Sequence, residues 1–302
     1  MAEEWQTQFT EFANKNDSDF YLFSAGIFDQ QVDNAISAVR RVKNKRTNAS
    51  LALCTLGGSA DAAFQLARIF KRKYTKFTLY VFGVCKSAGT LVAVGADEIV
   101  MSEFGQFGPL DVQLTDKEDV FAQTPALDIQ QSVATLSKLT FDTFWDYFLS
   151  LAKAGLGSKT ASEAARNLAL GISSPIAEQI DPLLLGRVDR SMKIAEAYSD
   201  RLRKDFKGKA RLSGDYPSHS FVIDYDEAKT IFPNLREPNA EEVAIEETIR
   251  GWGRVPRPRT DWIGNLSQEK TSTQNEQVPN NGGAGEHSQT QAPTATLGAP
   301  TR

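Results

Sequence analysis

Short apolar runs alternate with amphipathic stretches through the first half of the chain. Phe20 to Ala25, Ala49 to Leu56, Thr78 to Val84 and Glu98 to Ser102 read as strands. Between them, apolar residues recur at helical spacing. Val32, Ile36, Val39 and Val42 form one stripe, and Ala62, Leu66, Ile69 and Phe70 form a second. Leu91 to Gly95 belongs to a third helix. Asp29 is expected to cap the first helix, and Ser59 or Asp61 the second. Strand and helix in alternation predict an α/β fold with right-handed crossovers and a mainly parallel sheet covered by helices.

After Asp111 the pattern changes. Ile129 to Leu151 reads as a helix with Leu136, Leu139, Phe144, Phe148 and Leu151 apolar, and Ser158 to Leu170 and Val188 to Phe206 are also helical. These form a helical elaboration over 125–206 rather than another strand–helix repeat. The aromatic stretch Phe141 to Phe148 is expected to pack inward as core, with an interface as its other use. Val222, Asp224 and Ala228 lie in a late strand-to-helix segment, and Glu241 to Ile249 reads as a short surface helix. From about Leu266 to Arg302 the chain is dominated by Ser, Thr, Gln, Asn, Gly and Pro without an aromatic residue, so disorder is expected and His287 is given no role. The organisation predicted is an N-terminal extension (1–18), a main domain (19–235), a C-terminal surface segment (236–265) and a tail (266–302).

Composition narrows the function. In 302 residues, 41% are hydrophobic and 24% charged, as in soluble globular proteins. A net charge of −4 gives no bulk attraction for nucleic acid. The basic run Arg40, Arg41, Lys43, Lys45 and Arg46 instead complements the negative end of a helix. No apolar run approaches the roughly 20 residues of a membrane helix, and the acidic start Met1 to Trp5 lacks a signal core. A cytoplasmic protein without an integral membrane segment is expected. Cys54 and Cys85, the only cysteines, make neither a disulfide framework nor a zinc site, and buried reduced thiols are expected. No cofactor and no metal are implied.

The chemistry concentrates in Val84-Cys85-Lys86-Ser87-Ala88-Gly89-Thr90. A strand, a tight turn and a helix in succession put Ser87 at a helix mouth, where backbone N–H groups are unpaired and the dipole favours negative charge. Serine there serves as a helix cap or as an acylating nucleophile. Gly57-Gly58 closes the preceding strand, and adjacent parallel strands bring the two turns together at their carboxyl ends. One N–H from Gly57 or Gly58 and one from Ala88 would then hold an oxyanion on a carbonyl attacked by Ser87.

Leu56-Gly57-Gly58 with its alanine-rich helix, Cys85 to Thr90, Gly95-Ala96-Asp97-Glu98-Ile99-Val100-Met101 and Gly108-Pro109-Leu110-Asp111 together resemble the ClpP/crotonase superfamily. Within it, the chain is most similar to the serine dehydrogenase proteinase family, related to signal peptide peptidase A. The resemblance is clearest from Tyr21 to Gln113 and continues more loosely through Ile180-Asp181-Pro182 and Tyr216-Pro217-Ser218-His219. It implies a repeated β-β-α/β-α spiral, a nucleophilic Ser87, an oxyanion hole at the glycine turn and a homo-oligomer.

The base is less defined. The Clp proteolytic subunit has a histidine near the position of Leu110-Asp111-Val112, where this chain has none. Signal peptide peptidase A uses a lysine further on, and Lys117 and Lys138 are available here. Lys117 sits in the charged run Asp116 to Asp119, the opposite of the desolvated setting a catalytic lysine needs. His219 stands in a proline-fixed loop, and imidazole titrates near neutral pH. His219 therefore ranks first, Lys138 second and Lys117 third, with Asp111 orienting the base or lining the cleft. The expected function is a serine hydrolase, a peptidase acting on a peptide or protein substrate. The alternatives are a catalytically inactive binding or scaffold protein on the same fold and, last, an acyl-CoA enzyme of the crotonase type, for which the glycine turns offer no glutamate base.

Overall fold

In the computed structural model, which describes residues 2–110, 113–115, 123–218, 220–257 and 260–267, the expected strands form β1 (Ser18–Ser24), β2 (Asn48–Cys54), β3 (Phe77–Val81) and, after a short β4 (Val84–Cys85), β5 (Glu98–Met101). β1 and β3 are buried at every position, and β2 at all but its first. Such strands read as continuous apolar runs because helices cover both faces of a parallel sheet. Shorter strands follow: β6 (Gln106–Phe107), β7 (Gln113–Thr115), β8 (Gln123–Pro125), β9 (Leu235–Arg236) and β10 (Trp262–Asn265). Six of these make one sheet in the order β10-β1-β2-β3-β5-β9. All its neighbours are parallel except β10, which runs antiparallel to β1. Ser24 lies beside Cys54, Ala52 beside Tyr80 and Val81 beside Met101, so the carboxyl ends of the strands come out level. The mainly parallel α/β fold is as expected.

The helices are α1 (Ala2–Lys15), α2 (Asp29–Arg41), α3 (Ala60–Lys73), α4 (Ala88–Gly95), α5 (Ala126–Lys153), α6 (Ser158–Ala177), α7 (Pro182–Leu202), α8 (Lys209–Gly214), α9 (Tyr225–Ile231) and α10 (Ala240–Gly253). Val39, Leu66, Phe70 and Val94 of α2, α3 and α4 bury one face of the sheet in a core with Leu51, Leu79 and Ile99. On the other face Phe9 and Phe12 of α1 and Ile245 and Ile249 of α10 pack with Phe20, Tyr80 and Phe82. The Phe20 ring lies 5.0 Å from that of Phe9 and 5.5 Å from that of Tyr80. Among the described residues no helix is long and apolar enough to cross a membrane.

Several expectations are corrected. Asp29 does not cap α2; it is the first helical residue, behind Phe28, and acts on the helix dipole from the first turn. Ser59 caps α3, accepting from the Ala62 N–H, while Asp61 accepts from the Tyr198 hydroxyl of α7. The 236–265 segment is not a surface segment, because α10 fills the second core and β10 extends the sheet. Residues 2–15, expected as an extension, form α1 and pack into that same core. The aromatics of α5 do not pack inward as core: Phe141 is 61% exposed and Trp145 also faces solvent, in a cluster of rings with Phe144 and Phe148. Of the tail, Leu266 and Ser267 bond to Phe20, and 268–302 lies outside the described residues.

Glu242 ties the second core to the sheet. Its carboxylate accepts from Tyr80 (3.0 Å), from two nitrogens of Arg236 (2.7 and 2.8 Å) and from the Asn239 N–H (2.8 Å), closing a capping box on α10. Arg236 also reaches Glu98 at 2.9 Å. Burial pushes the Glu242 carboxyl up, but the bonds from Arg236 and Asn239 outweigh it and hold the group below its ordinary 4.5. At Glu98, burial is likewise outweighed by Arg236 and Lys76. The unfolded chain therefore takes up these protons first. The stabilisation is present above the ordinary value of 4.5 and is lost as pH falls through the lower folded values.

Two outcomes check this account. Ile249→Ala should lower stability in urea by about 2–5 kcal/mol, as for a core residue, where a surface position would change it by less than about 0.5 kcal/mol. In Arg236→Gln, the stability difference between neutral and acid solution should narrow relative to the parent, measured from urea midpoints across the pH range.

Candidate active site

The two glycine-bearing turns meet through backbone bonds. Beyond β2, the Thr55 N–H donates to the Val84 carbonyl (2.8 Å) and the Lys86 N–H donates to the Thr55 carbonyl (3.0 Å). This ladder brings Gly57 against Ser87. A Cβ built on Gly57 would stand 2.8 Å from Ser87 Cβ and 3.2 Å from its Oγ. Gly57 has φ +118° and Gly58 φ +148°, and a Cβ on Gly58 would lie 2.2 Å from the Ile27 carbonyl oxygen. Glycine is required twice, once by Ser87 and once by the chain beyond β1.

Ser87 joins β4 to α4 with φ 52° and ψ −113°, a left-handed conformation that a non-glycine residue adopts at a cost of about 1–3 kcal/mol. Its surroundings hold it there. The Gly89 N–H donates to the Lys86 carbonyl (2.9 Å) and the Thr90 N–H to the Ser87 carbonyl (2.8 Å). Gly89 has no room for a side chain, since a Cβ would meet Thr55 Cγ2 at 2.6 Å and Cys85 Sγ at 2.9 Å. The Thr90 hydroxyl donates to the Gly108 carbonyl at 2.7 Å, fastening 107–110 to α4. The Ser87 side chain makes no capping hydrogen bond, so the capping use of this serine is not the one adopted.

The amides around Ser87 divide clearly. The Gly57 N–H donates to Thr55 Oγ1 at 3.0 Å. The Gly58 and Ala88 N–H groups have no acceptor among the described residues, and Ala88 opens the first turn of α4, where the dipole is positive. Gly58, Ser87 and Ala88 line one narrow cleft with Ala60, Leu91, Leu110 and Ala195. Its volume, about 10 Å³, accommodates roughly one water. Ser87 is 5% exposed.

The remaining predicted residues are not in this group. Lys138 is exposed on α5 and does not line the cleft. His219, Asp111 and Lys117 lie outside the described residues. The neighbour of His219 is described: the Ser220 carbonyl accepts from Lys86 Nζ at 2.7 Å, which joins that loop to the turn bearing Ser87, and burial pushes the Lys86 ammonium pKa down. The same loop is tied through Ile223, which exchanges backbone bonds with Phe107. Sequence reasoning did not single out Thr55, Lys86, Leu110 or Ala195. Thr90 carried a visible signal, one helical turn after Ser87 in the same motif. Cys54 and Cys85 are both buried free thiols; burial pushes Cys54 up to about 12 and Cys85 well above its ordinary value.

A family model described as a ClpP-like SDH-type serine proteinase matches residues 26–174, a span that holds both turns and the Gly108 to Leu110 segment. The resemblance to the serine dehydrogenase proteinases is thereby borne out, and the SDH-type match ends inside α6. Two uncharacterised proteins of Methanocaldococcus jannaschii are 28% identical over 135 residues and 29% identical over 136, each over 40% of this chain. The matches span 44% and 45% of those relatives, less than half of their length. Two solved structures of the 1510-N membrane-bound stomatin-specific protease were also matched. One variant is 20% identical over 48% of this chain and 67% of its own, with a TM-score of 0.29. The other, in complex with a substrate peptide, is 14% identical over 77% and 97%, with a TM-score of 0.30. The SDH-type resemblance therefore rests on the family match.

Gly57→Ala should destabilise the fold by about 1–3 kcal/mol through strain at positive φ and contact with Ser87. Gly155 has φ +93° with nothing near its Cβ, so Gly155→Ala supplies the comparison. The Gly57 variant should lose more in urea unfolding, and equal losses would show that the Ser87 contact contributes nothing.

Proposed function

We propose that this chain is a serine peptidase acylated on Ser87. Its Oγ attacks the carbonyl carbon of a peptide bond while a base takes the hydroxyl proton. The N–H groups of Gly58 and Ala88 donate to the resulting oxyanion. The C–N bond then breaks, and the base passes its proton to the leaving amine. A water molecule attacks the acyl-enzyme, gives its proton to the base, and releases the acid while the proton returns to Ser87. No cofactor enters.

The observation that carries this reading is the conformation of Ser87. A left-handed serine on a strand-to-helix turn, uncommitted to capping, shares a cleft with two amides that have no acceptor among the described residues. Of the two glycines, Gly58 is the better donor, because the Gly57 N–H is bonded to Thr55. His219 is the first candidate for the base, supported by the bond between Lys86 and Ser220. Lys138 is the second, and its exposure on α5 counts against it. Asp111 would orient the base. The substrate is a peptide. A binding protein on the same fold is the alternative, favoured by the narrowness of the cleft.

A fluorophosphonate probe should label the parent protein on Ser87 and leave Ser87→Ala unlabelled. Peptidase kcat/KM in that variant should fall by at least about 10³-fold. His219→Ala should match this loss while Lys138→Ala retains activity; the reverse pattern would transfer the role of base to Lys138. An unlabelled parent, beside a serine hydrolase that labels normally, would favour the binding protein.

A further inference from the structure

We infer that the end of the sheet opposite Ser87 is a docking surface for a membrane rich in anionic lipid. Arg40, Arg41, Lys43, Lys45, Arg72 and Lys73 are all exposed there, and none has an ion-pair partner among the described residues. Arg40 and Arg41 close α2, Lys43 and Lys45 follow it, and Arg72 and Lys73 close α3. The Thr75 N–H donates to the Thr47 carbonyl and the Ala49 N–H to the Lys76 carbonyl, both at 2.9 Å, so the two basic segments lie side by side. Other cations at this end are already matched: Arg46 by Asp19, Lys71 by Asp97 and Lys76 by Glu98. Asp17, which accepts from the Thr47 N–H, is an exposed acid at the rim. Helix dipoles draw cations into a last turn, but Lys43 lies past the end of α2, where that attraction has faded. The whole chain carries −4, so the positive charge is concentrated locally.

The form of the patch favours lipid over nucleic acid. Ser18 lies beside Asn48, Ala49 beside Phe77 and Thr78 beside Glu98, so the strands start level as well as end level. α2 and α3 return to this level edge and deliver their basic ends to one side of the molecule. A duplex is read by a helix or ribbon that enters a groove, and a single strand by rings on which its bases stack. Here the nearby rings of Phe70, Tyr74 and Phe77 are buried, and the cations sit on helix ends and loops. An anionic bilayer asks only for a cluster of about four to eight Lys or Arg within a Debye length of its plane. Ser87 lies beyond the carboxyl end of β2, whose seven residues set it roughly 20 Å from the patch. A docked molecule therefore turns Ser87 away from the lipid, and docking does not depend on the peptidase reading.

Co-sedimentation of the full chain with vesicles tests this, using phosphatidylcholine alone and a mixture of phosphatidylcholine with phosphatidylserine. The parent should bind the mixed vesicles, ignore pure phosphatidylcholine and be released by added salt. Combining Arg40→Gln, Arg41→Gln, Lys43→Gln and Lys45→Gln should lower the partition coefficient at least about 100-fold. The pair Arg72→Gln and Lys73→Gln, sufficient alone if the first variant does not fold, should lower it at least about 10-fold. Lys153→Gln, Lys159→Gln, Arg166→Gln and Arg187→Gln together make the same change in charge outside the patch and should leave binding close to that of the parent. Ser87→Ala should bind as the parent does. Equal losses in the patch and control variants, equal binding to both kinds of vesicle, or binding to neither would overturn the inference. Single-stranded and duplex DNA are titrated in parallel by fluorescence anisotropy. DNA binding that is lost in the patch variants, with no retention on vesicles, would assign the surface to nucleic acid and overturn the lipid reading.

Discussion

The site depends on two backbone hydrogen bonds flanking Thr55, which zip the ends of β2 and β4 together. They are made by peptide groups and so are available to any sequence, but they bring the chains so close that the residues on either side lose their freedom. Gly57 must lack a side chain because Ser87 occupies the space, and Gly89 must lack one because Thr55 and Cys85 do. Ser87 is left with a conformation that serine does not prefer. The glycines and the strained serine are thus one constraint seen from three positions, and removing the close approach would remove the reason for all of them.

Around that centre the molecule uses clamps. Thr90 holds 107–110, Lys86 holds the loop containing Ser220, and the Phe64, Tyr198 and Arg201 stack holds α7 to α3. The last two join the elements around the main sheet to segments far along the chain. Behind the sheet, Glu242 performs the corresponding task for α10, with its buried charge matched by Arg236, Tyr80 and an amide. A rigid rear face lets strain be stored at Ser87, because the energy for it comes from packing elsewhere.

Much of this was legible in the residues. The strands of the parallel sheet announce themselves as unbroken apolar runs, and the two turns announce themselves through glycine at the end of one strand and Ser-Ala-Gly at the end of another. What was hidden has a common cause: the contacts are between segments distant in sequence. Nothing local in Ala195 says that it will face Ser87, and nothing in Glu241 to Ile249 says that its apolar stripe will meet Phe9 and Phe12. The aromatic stripe of α5 misled for a related reason. Helical spacing reports that a face is apolar, not that another element covers it, and Phe141 remains in solvent. The choice between the two glycine amides was undecided in the sequence because it turns on the Thr55 hydroxyl, whose direction is a tertiary fact.

The ends of the main sheet carry a consequence of their own. A parallel sheet with long unpaired borders would invite strands from other molecules and so risk fibrils. Here one border is sealed by a strand running the opposite way, Trp262 to Asn265, and the other is only two residues long, Leu235 and Arg236, with a guanidinium on it. Both margins are short, of four and two residues, which limits the template they offer a stranger's backbone. The late segment that looked like surface is what keeps the long, buried β1 from being a border of the sheet.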